Sequence, residues 1–265
     1  MAYRTAFDFI KLDQRRSLSK PRLSGVTMVS DYQTGLSALT DLMDTVGNYV
    51  DMFKIATGTS RLFPKSHLKK KLSILKQNDV KPFLGGQFQE YAFHTNGLKI
   101  MDRHIGEANE LGFEIVEVSD NIVPLSQDIK KTIFDLIYEN GMTPVAEVGN
   151  KQNTTEPTKI VDEIQLMLEL GAKWALVEAA ELMPNGIANE TLILELQKNV
   201  DITKCIFELA TPRIGSTTVQ IYAGKKFLIK TFGPDVNLGN VTTELVMETE
   251  ATRLGLGTAG PLDYL

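Results

Sequence analysis

The chain alternates short apolar segments with longer amphipathic ones along almost all of its 265 residues. The short segments are rich in aliphatic residues and are not joined by hairpin turns, which is typical of parallel strands buried on both faces of a sheet. The longer segments carry helix start and stop signals, such as Ser126 before one of them and Gly141 after it. The predicted strands cover residues 25–30, 49–55, 80–84, 113–118, 143–148, 174–178, 204–209 and 236–238, and the predicted helices cover residues 34–46, 66–77, 97–111, 126–140, 158–170, 189–198 and 242–254.

This repetition predicts an α/β fold, a single-domain (β/α)8 TIM barrel, because eight strands alternating with helices over about 250 residues are the size of such a barrel. A doubly wound open sheet is the alternative, but no Gly-x-Gly-x-x-Gly follows the first strand. We expect residues 1–24 to form a short N-terminal arm or barrel plug and residues 25–265 to form the barrel domain. The basic residues of the arm, and the Lys69–Lys71 face of the second helix, are expected to be solvated.

Composition excludes several classes of protein. The formal net charge is −5 and the pI about 5.4, so the basic footprint of a nucleic-acid-binding protein is missing. No window of 18 uncharged apolar residues is present, which argues against a membrane span. The lone cysteine, Cys205, lies in an apolar run and is expected to be a buried structural thiol in a reducing, cytoplasmic setting. A homo-oligomer is compatible with the sequence, which predicts no interface.

Acidic residues stand where four successive predicted strands end, and the ends of barrel strands are where the chemistry of such folds lies. These residues are Glu117, Glu147, Glu178 and Glu208. Carboxylates gathered in one confined mouth repel each other without a counter-charge, and Mg²⁺ prefers such oxygen ligands. The alternative is that some of them point into loops and pair with Lys or Arg. The three histidines lie in predicted loops or helices, so a zinc site is not expected.

Glycine and hydroxyl residues after two strands indicate a site for a small anionic phosphorylated substrate. Thr57-Gly58-Thr59-Ser60 follows the second strand, and Arg213-Ile-Gly-Ser-Thr-Thr218 follows the seventh. Backbone N–H groups in such loops hold anions, although the same residues also make ordinary turns. The candidate substrate-binding residues are Thr59, Ser60, Arg213, Gly215, Ser216, Asn237 and Asn240.

Six short motifs occur in order at the strand ends. They are Lys54-x-x-x-Gly58-Thr59-Ser60, Gly85-Gly86-x-x-x-Glu90, Val116-Glu117-Val118-Ser119-Asp120, Glu147-Val148-Gly149-x-Lys151, Phe207-Glu208 and Val236-Asn237-Leu238-Gly239-Asn240. Together they resemble the phosphosulfolactate synthase family over nearly the whole chain. The resemblance implies a Mg²⁺-dependent addition of sulfite to the methylene carbon of phosphoenolpyruvate, the first step in one route to coenzyme M. The carboxylate would take up charge as an aci-form that the metal stabilises, and Lys151 or Lys54 would protonate the adjacent carbon.

The chain departs from the family pattern at several strand ends. Ile55-Ala56-Thr57 replaces Phe-Gly-Trp, Asn150 replaces the first of two lysines, and Leu209-Ala210 replaces Ala-Pro. Ala180 replaces an arginine, the side chain best suited to bind an oxyanion bidentately. Arg213, in a loop about ten residues longer than the family pattern, is a candidate replacement. These departures favour a relative with a changed nucleophile over a strict phosphosulfolactate synthase. A catalytically inert relative with a binding or stress-protective role is the alternative.

Overall fold

The computed structural model describes residues 5–150, 154–212 and 215–256. Its eight strands are all parallel, each pairs with the next in sequence, and the last pairs with the first to close a barrel. The predicted TIM barrel is therefore confirmed. The strands are β1 (Thr27–Asp31), β2 (Met52–Ile55), β3 (Lys81–Leu84), β4 (Ile115–Val118), β5 (Thr143–Val148), β6 (Trp174–Val177), β7 (Cys205–Glu208) and β8 (Leu238–Val241).

Helices surround the barrel and bury the outer face of its strands. Those in the described part of the chain are α1 (Leu36–Val46), α2 (Lys65–Gln77), α3 (Gln87–Asn96), α4 (Met101–Leu111), α5 (Gln127–Glu139), α6 (Pro157–Leu170), α7 (Ala179–Leu182), α8 (Glu190–Asn199), α9 (Thr218–Phe232) and α10 (Val246–Arg253). The seven predicted helices are present, and α3, α7 and α9 are additional. A capping box between Thr217 and Gln220 starts α9, and this Thr-x-x-Gln spacing is the sequence signal that predicts it.

The last strand lies further along the chain than predicted, at Leu238–Val241 instead of 236–238. Gly239 and Asn240 resemble loop residues, but both lie in β8. Residue 239 is glycine because the barrel interior leaves no space for a side chain there. A Cβ at Gly239 would lie 2.9 Å from Cε of Met28 and 3.1 Å from Cγ2 of Ile206. Packing inside the barrel thus overrides the local preference of these residues for a turn.

The pleat of the strands determines which side chains point into the barrel. Side chains two residues apart point to the same face of a strand, and one layer of the barrel interior is apolar, built from residues such as Ile115, Val145, Leu176 and Ile206. The residues two positions further on, Glu117, Glu147, Glu178 and Glu208, therefore point inward at the end of the barrel where the strands finish. Lys54 follows Met52 in the same way.

The N-terminal arm packs against the opposite end of the barrel, where the strands begin. The Arg16 guanidinium donates to both carboxylate oxygens of Glu250 at 2.9 Å and to Asp235 at 3.1 Å. Arg22 donates to Asp51 at 2.9 Å. Both arginines are buried. The expectation that the arm's basic residues are solvated is therefore wrong for these two, because they pair with carboxylates that the barrel end would otherwise bury alone.

The positions of Lys71 and Cys205 test two further expectations from the sequence. Lys71 is fully buried and not solvated, since its ammonium donates to Asp31 at 2.5 Å and to the Thr34 carbonyl at 2.6 Å. Cys205 is buried as predicted, and burial raises the pKa of its thiol to about 12, so it stays protonated. In the described part of the chain, none of the helices combines the length and apolar character that crossing a bilayer requires.

Candidate active site and metal centre

A cavity of about 250 Å³ opens where the strands end, and we call it the mouth cavity. Five charged side chains line it: Lys54 from β2, Glu117 from β4, Glu147 from β5, Glu178 directly after β6, and Glu208 from β7. Each is at most 6% exposed. The structure thus brings the four predicted carboxylates to one place, and none of the three histidines lines this cavity.

Three of the carboxylates form a candidate metal centre. One oxygen each from Glu147, Glu178 and Glu208 lies within 4.8 Å of the others. Two oxygens on opposite sides of a Mg²⁺ ion are about 4.2 Å apart, since each Mg–O bond is about 2.1 Å long. Adjacent oxygens on such an ion are about 3.0 Å apart, so all three carboxylates could bind one ion once their side chains move inward. A donor set made of carboxylate oxygens alone suits hard divalent cations such as Mg²⁺ and Mn²⁺.

The fourth carboxylate has a different partner. The Lys54 ammonium lies 3.1 Å from Glu117 and 3.3 Å from Glu208. Burial by itself lowers the pKa of Lys54, but the carboxylates of Glu117, Glu208 and Glu147 outweigh it and hold that pKa well above its usual value. Lys54 is therefore a permanent cation in the mouth cavity. It links the candidate metal ligand Glu208 to Glu117.

Gly86 leaves the space that Glu117 occupies. A Cβ at Gly86 would lie 2.6 Å from Cβ of Ser119 and 3.1 Å from Cγ of Glu117. At the neighbouring Gly85 a Cβ would lie 3.1 Å from the Ile55 carbonyl oxygen. The Gly-Gly pair therefore serves close packing of the strand ends, and a larger residue at position 86 would displace a charged side chain of the site.

A hydrogen-bond network holds the carboxylate of Glu147 in place. The Ser119 hydroxyl makes short contacts with Glu147 and with Glu90, the latter at 2.5 Å. Asn121 donates to Glu147 at 2.7 Å. Glu90 in turn accepts from the backbone N–H groups of residues 122 and 123, both at 2.7 Å. Such outer contacts orient a metal-binding carboxylate. Glu90 and Ser119 belong to the sequence motifs, whereas Asn121 has no signal in the sequence.

A second cavity, of about 490 Å³, adjoins the mouth cavity and shares Ala179, Glu208 and Leu209 with it. We call it the side cavity. The predicted residues Gly215 and Ser216 line it, and so does Ala180, the position where the family pattern has arginine. Apart from Glu208, the described side chains around it are uncharged. The main departure from the family pattern therefore lies in the wall of a space that opens onto the carboxylates.

The remaining predicted site residues are scattered. Asn240 lines the mouth cavity and accepts from the Ser30 hydroxyl at 2.7 Å. Asn237 lies at the other end of the barrel, where it accepts from Val26 N–H at 2.9 Å and donates to the Cys205 carbonyl at 2.9 Å. Its expected place in the mouth is wrong, because it precedes β8 instead of ending it.

The turn after β2 also differs from expectation. The Thr59 hydroxyl donates to the Ala56 carbonyl at 2.8 Å, which closes the turn. Ser60 lines a cavity outside the barrel. The structure therefore brings neither residue to the mouth cavity, although Thr57 of the same segment lines it. The predicted Lys151 and Arg213 lie outside the described residues.

Glu181 is a buried carboxylate that sequence reasoning did not single out. It accepts from the N–H groups of Asn150 and Thr155, both at 2.8 Å, and from the Thr155 hydroxyl at 2.7 Å. Gly149, at φ +97°, allows this approach, since a Cβ there would lie 2.7 Å from Cγ of Glu181. Glu181 thereby holds the backbone on either side of residues 151–153.

Comparisons with known proteins agree with this geometry. The sequence model of the (2R)-phospho-3-sulfolactate synthase family matches residues 15–258. A phosphosulfolactate synthase from Methanothermobacter thermautotrophicus is 33% identical over 95% of each chain. The protein Heat-stress-associated 32 from Arabidopsis thaliana is 24% identical over 88% of this chain and 87% of its own. A type I 3-dehydroquinate dehydratase structure from Clostridium difficile covers 86% of this chain and 91% of its own with a TM-score of 0.55 and 11% identity, which shows the fold alone.

Proposed function

Because this chain belongs to the (2R)-phospho-3-sulfolactate synthase family, we propose that it is a Mg²⁺-dependent lyase that joins a nucleophile to the methylene carbon of phosphoenolpyruvate or a related phosphorylated acid. The observation that carries the proposal is the convergence of Glu147, Glu178 and Glu208 on one cavity. Three carboxylate oxygens this close together are a donor set of the kind that Mg²⁺ prefers.

Glu147, Glu178 and Glu208 would hold the metal. A bound Mg²⁺ supplies Lewis-acid stabilisation of the negative charge that develops on the substrate carboxylate when the methylene carbon is attacked. The protein's own part is to keep the ligands in place. Ser119 and Asn121 orient Glu147, and the interior layer of the barrel excludes water from beneath the site.

Lys54 would hold the anionic end of the substrate. Its ammonium stays charged among the carboxylates, so it can neutralise a carboxylate or the aci-form that follows attack. Lys151, the lysine of the Glu-Val-Gly-x-Lys motif, is the candidate that protonates the carbon next to the carboxylate. The assignment of Lys151 rests on this motif alone.

The side cavity is the candidate place for the second reactant. Gly215 and Ser216 would bind oxyanions there through backbone N–H groups and a hydroxyl, and Asn240 faces the mouth cavity. Arg213, from the same sequence segment as Gly215 and Ser216, stays a candidate substrate-binding residue. Because residue 180 is alanine, this wall lacks the positive charge that an arginine would contribute. The wall is therefore suited to a nucleophile other than sulfite, which is the nucleophile that the family resemblance implies.

The direct test is to incubate the protein with Mg²⁺, phosphoenolpyruvate and a panel of nucleophiles that includes sulfite, and to follow the phosphorus resonances by NMR. We expect a new phosphorylated product with at least one nucleophile, and its loss in Glu178→Gln. A control outside the mouth cavity, Glu114→Gln, should retain activity. Unchanged phosphoenolpyruvate with every nucleophile would contradict the proposal.

A catalytically inert, stress-protective role is the second candidate, and the Arabidopsis relative named for heat stress favours it. The buried carboxylates argue for a ligand-binding site, since their oxygens converge on one cavity as a divalent cation requires. Mg²⁺ together with phosphoenolpyruvate should raise the melting temperature if the site is used, because a ligand that binds only the native state stabilises it. An unchanged melting temperature would favour the inert relative.

The lone cysteine supports a place for this reaction in the cytoplasm. Its thiol is buried and protonated, so the fold uses no disulfide for its stability and suits a reducing compartment. The acidic overall charge argues against nucleic acid as a partner. We propose a small anionic substrate as the ligand of this protein, and association through the outer helices stays compatible with it.

A further inference from the structure

A third cavity lies outside the barrel and shares no lining residue with the mouth cavity. Its volume is about 600 Å³, within the range of about 300–1,000 Å³ that is usual for small-molecule sites. Its walls come from α2, α3, α4 and the turn after β2. Four aromatic residues line it: Phe63, Phe88, Tyr91 and Phe113. We call it the outer cavity, and its aromatic walls suit a planar apolar group.

Two buried polar atoms in this cavity have no hydrogen-bond partner within the described ranges. They are the hydroxyl oxygen of Ser60 and Nε2 of His104. Ser60 is only 9% exposed, and both residues line the outer cavity. Buried polar groups in native proteins nearly always have a partner. A ligand hydroxyl, which both donates and accepts, would satisfy either atom whichever nitrogen of the imidazole carries the proton.

The charge at the entrance comes from arginine and not from the histidine. Burial lowers the pKa of His104 to about 4, so its ring is neutral near pH 7 and offers a hydrogen bond without a charge. Arg61 and Arg103 are exposed residues of the cavity lining. Lys65, by contrast, is paired with Glu107 at 2.7 Å. The two arginines are therefore placed to receive a carboxylate from a bound molecule.

We propose that the outer cavity binds an aromatic carboxylate that carries a ring hydroxyl. The ring would lie among the aromatic walls, the hydroxyl would reach Ser60 or His104, and the carboxylate would face Arg61 or Arg103. This site takes no part in the proposed reaction. It assigns a ligand-binding role to Ser60, which does not line the mouth cavity.

The outer cavity neighbours the mouth cavity through two segments, the turn after β2 and the start of α3. Ser60 follows β2, the strand that carries Lys54, and Phe88 lies in α3, which follows Gly85-Gly86 of the mouth lining. The two segments touch, since a Cβ at Gly58 would lie 3.5 Å from Cβ of Phe88. A molecule held in the outer cavity would therefore contact segments that also border the mouth cavity.

The test uses 3-(4-hydroxyphenyl)propionate as the probe, measured by calorimetry on the whole chain. We expect saturable binding of one molecule per chain. Binding should weaken about fivefold for 3-phenylpropionate, which lacks the hydroxyl, and more for 4-ethylphenol, which lacks the carboxylate. Ala92→Phe, which fills the cavity, should weaken the probe at least about tenfold.

Two further variants separate this site from the mouth. Arg103→Gln changes an exposed side chain, so it should fold normally and still weaken the probe. Glu178→Gln alters the mouth and should leave the probe's affinity unchanged. The proposal is overturned if the probe shows no saturable binding at millimolar concentration, if Arg103→Gln and a folded Ala92→Phe both bind it as the original chain does, or if Glu178→Gln abolishes binding.

Discussion

Gly86 is a lining residue whose substitution would disturb the mouth cavity. A Cβ there would come within 3.1 Å of Glu117 and closer still to Ser119, and Ser119 in turn contacts the candidate metal ligand Glu147. We therefore expect Gly86→Ala to weaken divalent-cation binding by about 10- to 100-fold, as when an outer contact of a metal ligand is lost. Calorimetric titration with Mg²⁺ measures this.

The matched control for that substitution is Gly106→Ala in α4. A Cβ at Gly106 meets nothing within 4 Å, and alanine is favoured over glycine inside a helix by about 0.5–1 kcal/mol. Gly106→Ala should bind metal normally and be slightly more stable. Equal metal affinity in both alanine variants would refute the packing role of Gly86.

His104 makes stability depend on pH. Burial lowers its pKa from 6.5 to about 4 in the folded chain, so between these values the unfolded chain carries more protons. The free energy of unfolding must then fall as the pH falls from 6.5 towards 4, by up to about 2–3 kcal/mol from this residue. We expect His104→Leu to lose less stability over this range than the original chain. Equal slopes of unfolding free energy against pH would contradict the assignment.

At the scale of elements, the N-terminal arm contributes to stability through Arg16. Its guanidinium pairs with Glu250, which is 3% exposed. Arg16→Met leaves that carboxylate buried and unpaired, so we expect a loss of about 3–5 kcal/mol. Urea unfolding followed by the fluorescence of Trp174, the one tryptophan of the chain, measures the loss.

Arg15→Met is the control for the arm, because the Arg15 side chain is 63% exposed. It should change stability by less than about 0.5 kcal/mol. If the two variants are equally stable, the arm does not act through its buried pairs.

Elements with a clear hydrophobic period could be predicted from sequence, and those governed by tertiary contacts could not. The strand at 143–148 agrees with the prediction residue for residue, since it is a short, mainly apolar segment with one acidic residue. The strand containing Gly239 was displaced, because only the crowded barrel interior explains a glycine there. The helix at 218–232 is absent from the prediction, since its N-cap Thr217 belongs to the segment 213–218 that the sequence analysis interprets as an anion-binding loop.

At the scale of the whole molecule, closure of the barrel brings residues at the ends of successive strands together around one opening. That is why Glu117, Glu147, Glu178 and Glu208 could be expected at one mouth before any coordinates were known. No comparable rule predicts the direction in which a side chain outside the strands points. Ser60 faces the outer cavity and Asn237 the opposite end of the barrel, and neither placement follows from spacing in the sequence.

A titration with Mn²⁺, followed by electron paramagnetic resonance, tests most directly whether the three glutamates form one metal centre. We expect one bound ion per chain, displaced by Mg²⁺. Glu147→Gln, Glu178→Gln and Glu208→Gln should each weaken binding strongly, while Glu114→Gln leaves it unchanged. Binding of the same strength in all four variants, or no bound ion in the original chain, would contradict a metal site at this mouth.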